Sequence, residues 1–328
     1  LTAAPATTGT TQSTSTTSAK GAPIVVGTIC TCSGPEAAVL SGVSKGVQAW
    51  ADSVNAQGGI NGHPVKLIIK DDGQNPATSL QDAKELVEQD HVIAIVGEVS
   101  LVDNTWASYV ASKGVPVVGG ISPEATFLTN PDFFPSGAQL VVQTAGTVAL
   151  AKQAGKTHLG IMYCSEAPVC AQVVPLGKGL AALNGLKFAS ASISATAPSY
   201  TAPCLAQKSA GVDALFIADN APIVSRVAAS CAQQGYKPLQ VSEITASANN
   251  WLTDPNMQGT LLSGTNVNPY DTSTPAVKEF QDALNTYAPA LVKSSAFSND
   301  VIFPWIGGKL FEAAAKAGHV SPTSTGAE

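Results

Sequence analysis

Along this chain the spacing of apolar residues switches between a period of two and a period near four, most legibly between Val54 and Gly97. Val65, Leu67 and Ile69 alternate with Lys66 and Lys70, as in a strand with one buried face. Leu80, Ala83, Leu86 and Val87 then recur at helical spacing. Val92-Ile93-Ala94-Ile95-Val96 is unbroken, as expected of a parallel strand covered on both faces. The boundaries carry their own chemistry. Gly58-Gly59 can take the left-handed conformation that ends a helix, and Asn61-Gly62 suits a two-residue turn. Asn75-Pro76 and Ser79 open the next helix, with proline where no N–H donor is needed. Strand, helix and strand in this order make a β-α-β unit of an open sheet, and such sheets bind ligands beyond the carboxyl ends of their strands.

The alternation continues. Strands are predicted at Ile24–Ile29, Val115–Val118, His158–Tyr163, Phe188–Ser192, Ala214–Ala218, Leu239–Ser242 and Leu261–Val267. Helices are predicted at Ala37–Gln57 (interrupted near its start), Thr105–Lys113, Gln172–Asn184, Val224–Gly235, Pro275–Tyr287 and Asp300–Ala317. Repeated β-α order implies doubly wound, mostly parallel α/β sheets with helices on both faces. The 328 residues are enough for two domains of roughly 100–200 residues each.

Composition narrows the function. Charged residues make up 12% and the net charge is −6. An acidic chain with no lysine or arginine cluster argues against nucleic acid and against anionic membrane surfaces. The single arginine, Arg226, leaves no means of clamping a polyanion by paired guanidinium groups. No apolar run approaches the ~20 residues of a membrane span. Residues 1–22 are almost all Thr, Ser, Ala and Gly; they read as a flexible tether that cannot bury enough apolar surface to fold. Such a tether without a leader fits a mature exported domain, or one trimmed past a lipid-anchored cysteine.

The stretch GGINGHPVKLIIKDDGQNP and the later LVEQDHVIAIVG resemble the type I periplasmic binding proteins, and among them the branched-chain amino-acid receptors that feed ABC importers. The resemblance covers most of Pro23–Gly318. It implies two doubly wound lobes joined by a hinge. Residues 23–136 with 267–320 would form lobe I and 137–266 lobe II, with 321–328 as a tail and crossings near Phe134–Gly137 and Gly264–Asn268. After the helix ending near Gly318 it implies a further helix and strands returning to lobe II, where HVSPTSTGAE stands.

Four loops are candidates for the cleft, each with a plainer alternative. Ser33–Leu40 follows the first strand; it would serve equally as a strand-to-helix loop. The resemblance places an aromatic and a glycine where Val39 and Leu40 stand. Ser100, after the third strand, can cap a helix; by resemblance it would grip a ligand carboxylate. Ser122-Pro123-Glu124-Ala125-Thr126 resembles the family's Ser-Pro-x-Ala-Thr, which implies that Ala125 and Thr126 meet the ligand, while Glu124 either faces an ammonium or points to solvent. In lobe II, Val169-Cys170 occupies the place of a family Tyr-Gly pair. Asn220 follows one strand, and Glu243 aligns roughly with the acid that pairs a ligand ammonium. Each could equally be a solvated residue at a strand end.

Six cysteines suit an oxidising compartment. The pairs expected are Cys164–Cys170, Cys204–Cys231 and Cys30–Cys32, among fifteen connectivities open to six cysteines. Cys30-x-Cys32 lacks the further ligands that zinc would need, and neither metal nor cofactor is expected. Gly42-Val43-Ser44-Lys45-Gly46 matches a nucleophile-elbow pattern but falls within a helix rather than at a strand-to-helix turn. Its glycines therefore read as close-packing positions. His63, His91, His158 and His319 sit in different elements, and no phosphate-loop or dinucleotide motif is present. The reading reached is a monomeric, extracytoplasmic solute-binding protein rather than an enzyme. It would close by hinge motion around a hydrophobic amino acid or related small carboxylate and deliver it to an ABC permease. The alternatives are a sensing module of a receptor complex, a binding protein for an aromatic acid, and a secreted hydrolase.

Overall fold

The structure, a computed structural model, describes residues 19–321 except 35, 121–125, 138–139, 167, 245, 265–266 and 295–296. Glu124 and Ala125 lie outside the described residues, as does the tether up to residue 18. The first sheet contains β1 (Ile24–Cys30), β2 (Val65–Asp71), β3 (Ile95–Glu98), β4 (Val117–Gly120) and β5 (Phe133–Phe134). The second contains β6 (His158–Cys164), β7 (Lys187–Ile193), β8 (Ala214–Ala218), β9 (Leu239–Glu243) and β10 (Leu261–Ser263). All recorded strand pairings within the two sheets are parallel.

The spatial orders are β2-β1-β3-β4-β5 and β10-β9-β8-β6-β7. Read from its own first strand, each sheet has the same 2-1-3-4-5 order. Each therefore reverses direction once, between β1 and β3 in the first lobe and between β6 and β8 in the second. Loops diverge at such a reversal and leave a crevice at the strands' carboxyl ends.

The helices are α1 (Ala37–Leu40), α2 (Val43–Ala56), α3 (Pro76–Glu88), α4 (Ala107–Ser112), α5 (Thr126–Thr129), α6 (Leu140–Gln153), α7 (Val173–Leu183), α8 (Thr201–Ser209), α9 (Ala221–Gln233), α10 (Pro275–Tyr287), α11 (Pro289–Val292) and α12 (Ile302–Ala317). On one face of the first sheet, Val26 and Val96 join Trp50 of α2, Phe280 of α10 and Phe311 of α12. On the other, Ile29, Ile95 and Val117 meet Leu86 of α3 and Val110 of α4. The second sheet is sandwiched likewise. Leu159 and Ile161 pack with Val148 of α6 and Val173 of α7, and Met162 and Leu215 with Cys204 of α8 and Val227 of α9. The chain passes from the first sheet to the second between Phe134 and Leu140. It returns between Ser263 and Pro275, since α6 packs on β9 and β10 while α10 packs on α2.

Element edges moved for local reasons. The apolar run Val92–Val96 was expected to be strand throughout, but β3 begins at Ile95. Val92 N bonds Leu86 O to finish the preceding helix, so hydrophobicity there reports burial rather than ladder pairing. The strand expected from Val115 begins at Val117 because Val115 N likewise closes on Val110 O. The strand expected over Leu261–Val267 stops at Ser263. Helices α6 and α8 and the short β5 were not anticipated. Helix α6 is rich in small and β-branched residues, which blunts any single apolar stripe.

Candidate functional site

At the end of β2, Asp71 and Asp72 organise the loop that follows β1. Asp71 Oδ1 accepts from Cys32 N at 3.0 Å, Ser33 N at 3.1 Å and Gly73 N at 3.1 Å. Gly34 has φ +83°, and a Cβ there would lie 2.7 Å from Gly73 O, so the turn that delivers Glu36 requires glycine. Asp72 is fully buried. Its Oδ1 accepts from Thr31 Oγ1 at 2.8 Å and Gln74 N at 2.9 Å, and its Oδ2 from Ser79 Oγ at 2.9 Å and Ser100 Oγ at 2.5 Å.

Ser100 is therefore not presented to a crevice in this structure. Its side chain is wholly buried on Asp72, its N–H donates to Glu98 Oε1 at 2.5 Å, and its Oγ accepts from Val102 N at 3.2 Å. Thr126 opens α5 with its hydroxyl donating to Asp103 Oδ1 at 3.0 Å. Ser100 N, Ser100 Oγ and Thr126 Oγ1 thus each meet one of the protein's own carboxyl groups. Glu98 is buried beside Asp103, so burial first and the Asp103 charge second push its carboxyl well above the usual range, against the bond from Ser100 N.

The second lobe contributes from the ends of β6, β8 and β9. Burial would raise the Glu166 carboxyl, but bonds from Ser194 Oγ (2.8 Å), Ala195 N (2.8 Å) and Ser165 N (2.9 Å) hold it below the ordinary range. Asp219 is pushed up to about 7 by burial, and further by the charges of Glu36 and Glu166, against the bond from Asn220 N at 2.8 Å. Its Oδ2 is buried and takes no hydrogen bond among the described residues. Asn220 caps α9, its Oδ1 accepting from Ile223 N at 3.3 Å. Glu243 ends β9, in register with Ser263 of β10.

The lobes meet through these groups. Glu36 of the first lobe is half-buried. Burial and the Glu166 charge raise its carboxyl, while the Asn220 amide lowers it by hydrogen bonding. Glu36, Glu166, Asp219 and Asn220 thus face one another across the interlobe crevice. Among the described residues, no ion pair involves any of the three acids. Arg226 is spent elsewhere, donating to Ala195 O at 2.9 Å and Ala197 O at 2.7 Å while stacking on Tyr200.

Disulfides join Cys30 to Cys32, Cys164 to Cys170 and Cys204 to Cys231. Cys30 and Cys164 are the last residues of the topologically equivalent strands β1 and β6. Two bridges therefore stand at the roots of the loops carrying Glu36 and Glu166. Val39 lies in α1 and Val169 in the 3-10 turn Pro168–Gln172, their side chains outside the described set. The glycine motif falls at the start of α2, where a Cβ on Gly46 would sit 2.1 Å from Val301 O. Among the described residues no group of three or more His, Cys, Asp or Glu is placed to hold a metal, and no helix is long and apolar enough to cross a membrane. Sequence reading singled out neither Glu166 nor, within the Ser33–Leu40 loop, Glu36, and it did not name the buried carboxyl groups of Asp72, Glu98 and Asp103 that take up Ser100 and Thr126. The available signal was position: a carboxylate at or just beyond the end of an apolar strand, or in the loop that follows it.

Two lobes of identical strand order, with polar groups converging from the carboxyl ends of both sheets, define a hinged α/β binding protein. The sequence pattern of the periplasmic binding protein family matches residues 23–327, and the chain belongs to that family, whose members bind solutes rather than transform them. A stretch of 108 residues is 32% identical to an "amino acid binding protein" of Pseudomonas aeruginosa, covering 32% of this chain and 29% of that protein. This match thus spans under a third of the relative's length. A longer stretch of 279 residues is 26% identical to "Leu/Ile/Val-binding protein homolog 1" of Brucella suis, covering 80% of this chain and 72% of that one. The crystal structure of an extracellular ligand-binding receptor from Verminephrobacter eiseniae superposes with a TM-score of 0.77 at 18% identity, covering 90% of this chain and 84% of the other.

Proposed function

We propose that this chain is the extracytoplasmic solute-binding component of an ABC importer, and that it closes around a small amino-acid-like solute held by its ammonium group. The observation that carries the reading is the facing set of Glu36 from one lobe and Glu166, Asp219 and Asn220 from the other, with no lysine or arginine paired to the acids among the described residues. An ammonium placed there would relieve the repulsion that these acids impose on one another and draw the lobes together. Glu243, at the end of β9, is proposed to extend the same acidic wall. Membership of a family of periplasmic proteins supports the location, and the amino-acid-binding relatives support the solute class. The family resemblance supports a membrane permease as the partner.

The carboxylate end of such a solute is assigned to the segment Ala125–Thr126 by resemblance. A second reading is favoured by a specific observation. Ser100 N, Ser100 Oγ and Thr126 Oγ1 already serve Glu98, Asp72 and Asp103, which suits an amine with no carboxylate of its own. Isothermal titration with L-leucine, L-lysine and isoamylamine separates the two. Binding of the amino acids alone supports the first reading, and comparable binding of isoamylamine supports the second. If no ammonium compound binds, and the Glu36→Gln/Asp219→Asn variant changes nothing, the site assignment fails.

A further inference from the structure

We infer that Asn299 is a clasp between the lobes, limiting how far they open and positioning the turn that follows Glu243. Asn299 begins the 3-10 turn Asn299–Val301 that leads into α12. Helix α12 belongs to the first lobe, packed on α2, β3 and β4. The Asn299 side chain instead reaches the second lobe. Its Nδ2 donates to Ile244 O, to Ser247 O at 3.2 Å and to Ser247 Oγ at 2.7 Å.

The acceptor turn is itself fixed to the second sheet. Ile244 N bonds Ser263 O of β10 at 2.8 Å, and Ser247 closes back on Ile244 O through both its N–H and its hydroxyl. Asn299 is 2% exposed, so water does not readily replace these bonds. An amide has two hydrogens, and here they meet three oxygens presented by one turn. This arrangement recognises an NH2 group and excludes a carboxylate. Asn299 Oδ1 has no partner among the described residues, so the residue is held by its donor side alone.

Hinge closure requires contacts that survive a relative rotation of two rigid bodies, or that break at one limit of it. A single amide fixed to a turn is such a contact. It tethers the lobes beside the returning crossing, because the clasped turn bonds Ser263, the last residue of β10 before the chain goes back to the first lobe. Because the clasped turn begins directly after Glu243, the tether also sets how far that carboxylate stands from the first lobe. The role of Glu243 rests on the proposed function; the clasp itself does not.

The test reads lobe separation without solute. Nitroxide labels are placed on one exposed position in each lobe, and their distances are measured by pulsed electron resonance for the wild-type chain, Asn299→Ala and Ser247→Ala. The expected result is a shift of several ångströms to longer, broader separations in Asn299→Ala and a smaller broadening in Ser247→Ala. An unchanged distribution in folded Asn299→Ala overturns the inference. Should that variant fail to fold, an unchanged distribution in Ser247→Ala does so. Since no solute is present, failure here leaves the solute reading intact, and a chain that binds no ammonium compound can still carry the clasp.

Discussion

Ser100 Oγ donates to Asp72 Oδ2 at 2.5 Å inside the first lobe, with both residues buried. The serine that resemblance offers to a ligand is here one of four donors on an internal carboxylate. Ser100→Ala withdraws one hydrogen bond to a charged group, a loss of roughly 1.5–3 kcal/mol. Urea unfolding should show that loss as a lower midpoint at unchanged slope, while solute affinity changes by less than about 1.4 kcal/mol, or tenfold. A larger affinity loss with little loss of stability would return Ser100 to the ligand.

Asp219 gives the crevice a pH dependence. Its carboxyl is pushed up to about 7 by burial, with the Glu36 and Glu166 charges adding to it. Below that pH it carries a proton, and it offers full charge to an ammonium only above it. Affinity for a cationic solute should therefore rise from pH 5 to 8 and then level off. Asp219→Asn should flatten the rise. Titrations at four pH values check this, and an affinity that falls with pH would contradict the cationic assignment.

Asp300 couples the fold itself to pH. It is buried in the turn before α12 and pushed up to about 7 by burial alone, from an ordinary value of 3.8. The folded chain thus holds this proton more tightly than the unfolded chain, so the contribution of Asp300 to stability is most favourable in acid and declines as pH rises from about 4 toward 7. The full penalty is on the order of 4 kcal/mol. Asp300→Asn should raise the melting temperature at pH 8 and have little effect at pH 4.

Gly46 reports on helix packing. An added Cβ would sit 2.1 Å from the Val301 carbonyl oxygen, a backbone atom that cannot rotate away. Gly46→Ala should cost about 1–3 kcal/mol by overpacking, measured by thermal unfolding. Hydrolase activity should be absent from both proteins, because the motif's Ser44 lies inside α2.

The Cys204–Cys231 bridge closes a span of 27 residues between α8 and α9. Chain-entropy reasoning assigns such a loop roughly 3–4 kcal/mol. Replacing both cysteines with alanine should lower the melting temperature under oxidising conditions, and added reductant should then matter less than it does for the wild-type chain.

Much of the scaffold was legible in local pattern. The β-α-β unit from Val65 to Val96 could be read because alternation, helical spacing and turn residues agreed, although its last strand begins at Ile95 rather than Val92. Helix α6 could not: its small and β-branched residues, with Val141 and Val142 apolar yet exposed, leave no single stripe that marks the face packed on β9 and β10. The site was legible only by position. Asn220 and Glu243 could be placed at strand ends, yet nothing local said that Ser100 would turn to Asp72, since residues 28 positions apart meet only through strand order.

The chain by itself determined the alternation of strands and helices and the mostly parallel pairing, because period, turn chemistry and burial are properties of neighbouring residues; the division into two lobes came from the family resemblance. Only the tertiary structure decided which polar groups face the crevice and which are consumed within a lobe. Hydrogen bonding and charge coupling act across a few ångströms of space, and Glu36 comes within reach of Glu166 and Asn220 only once both sheets have brought their carboxyl ends together.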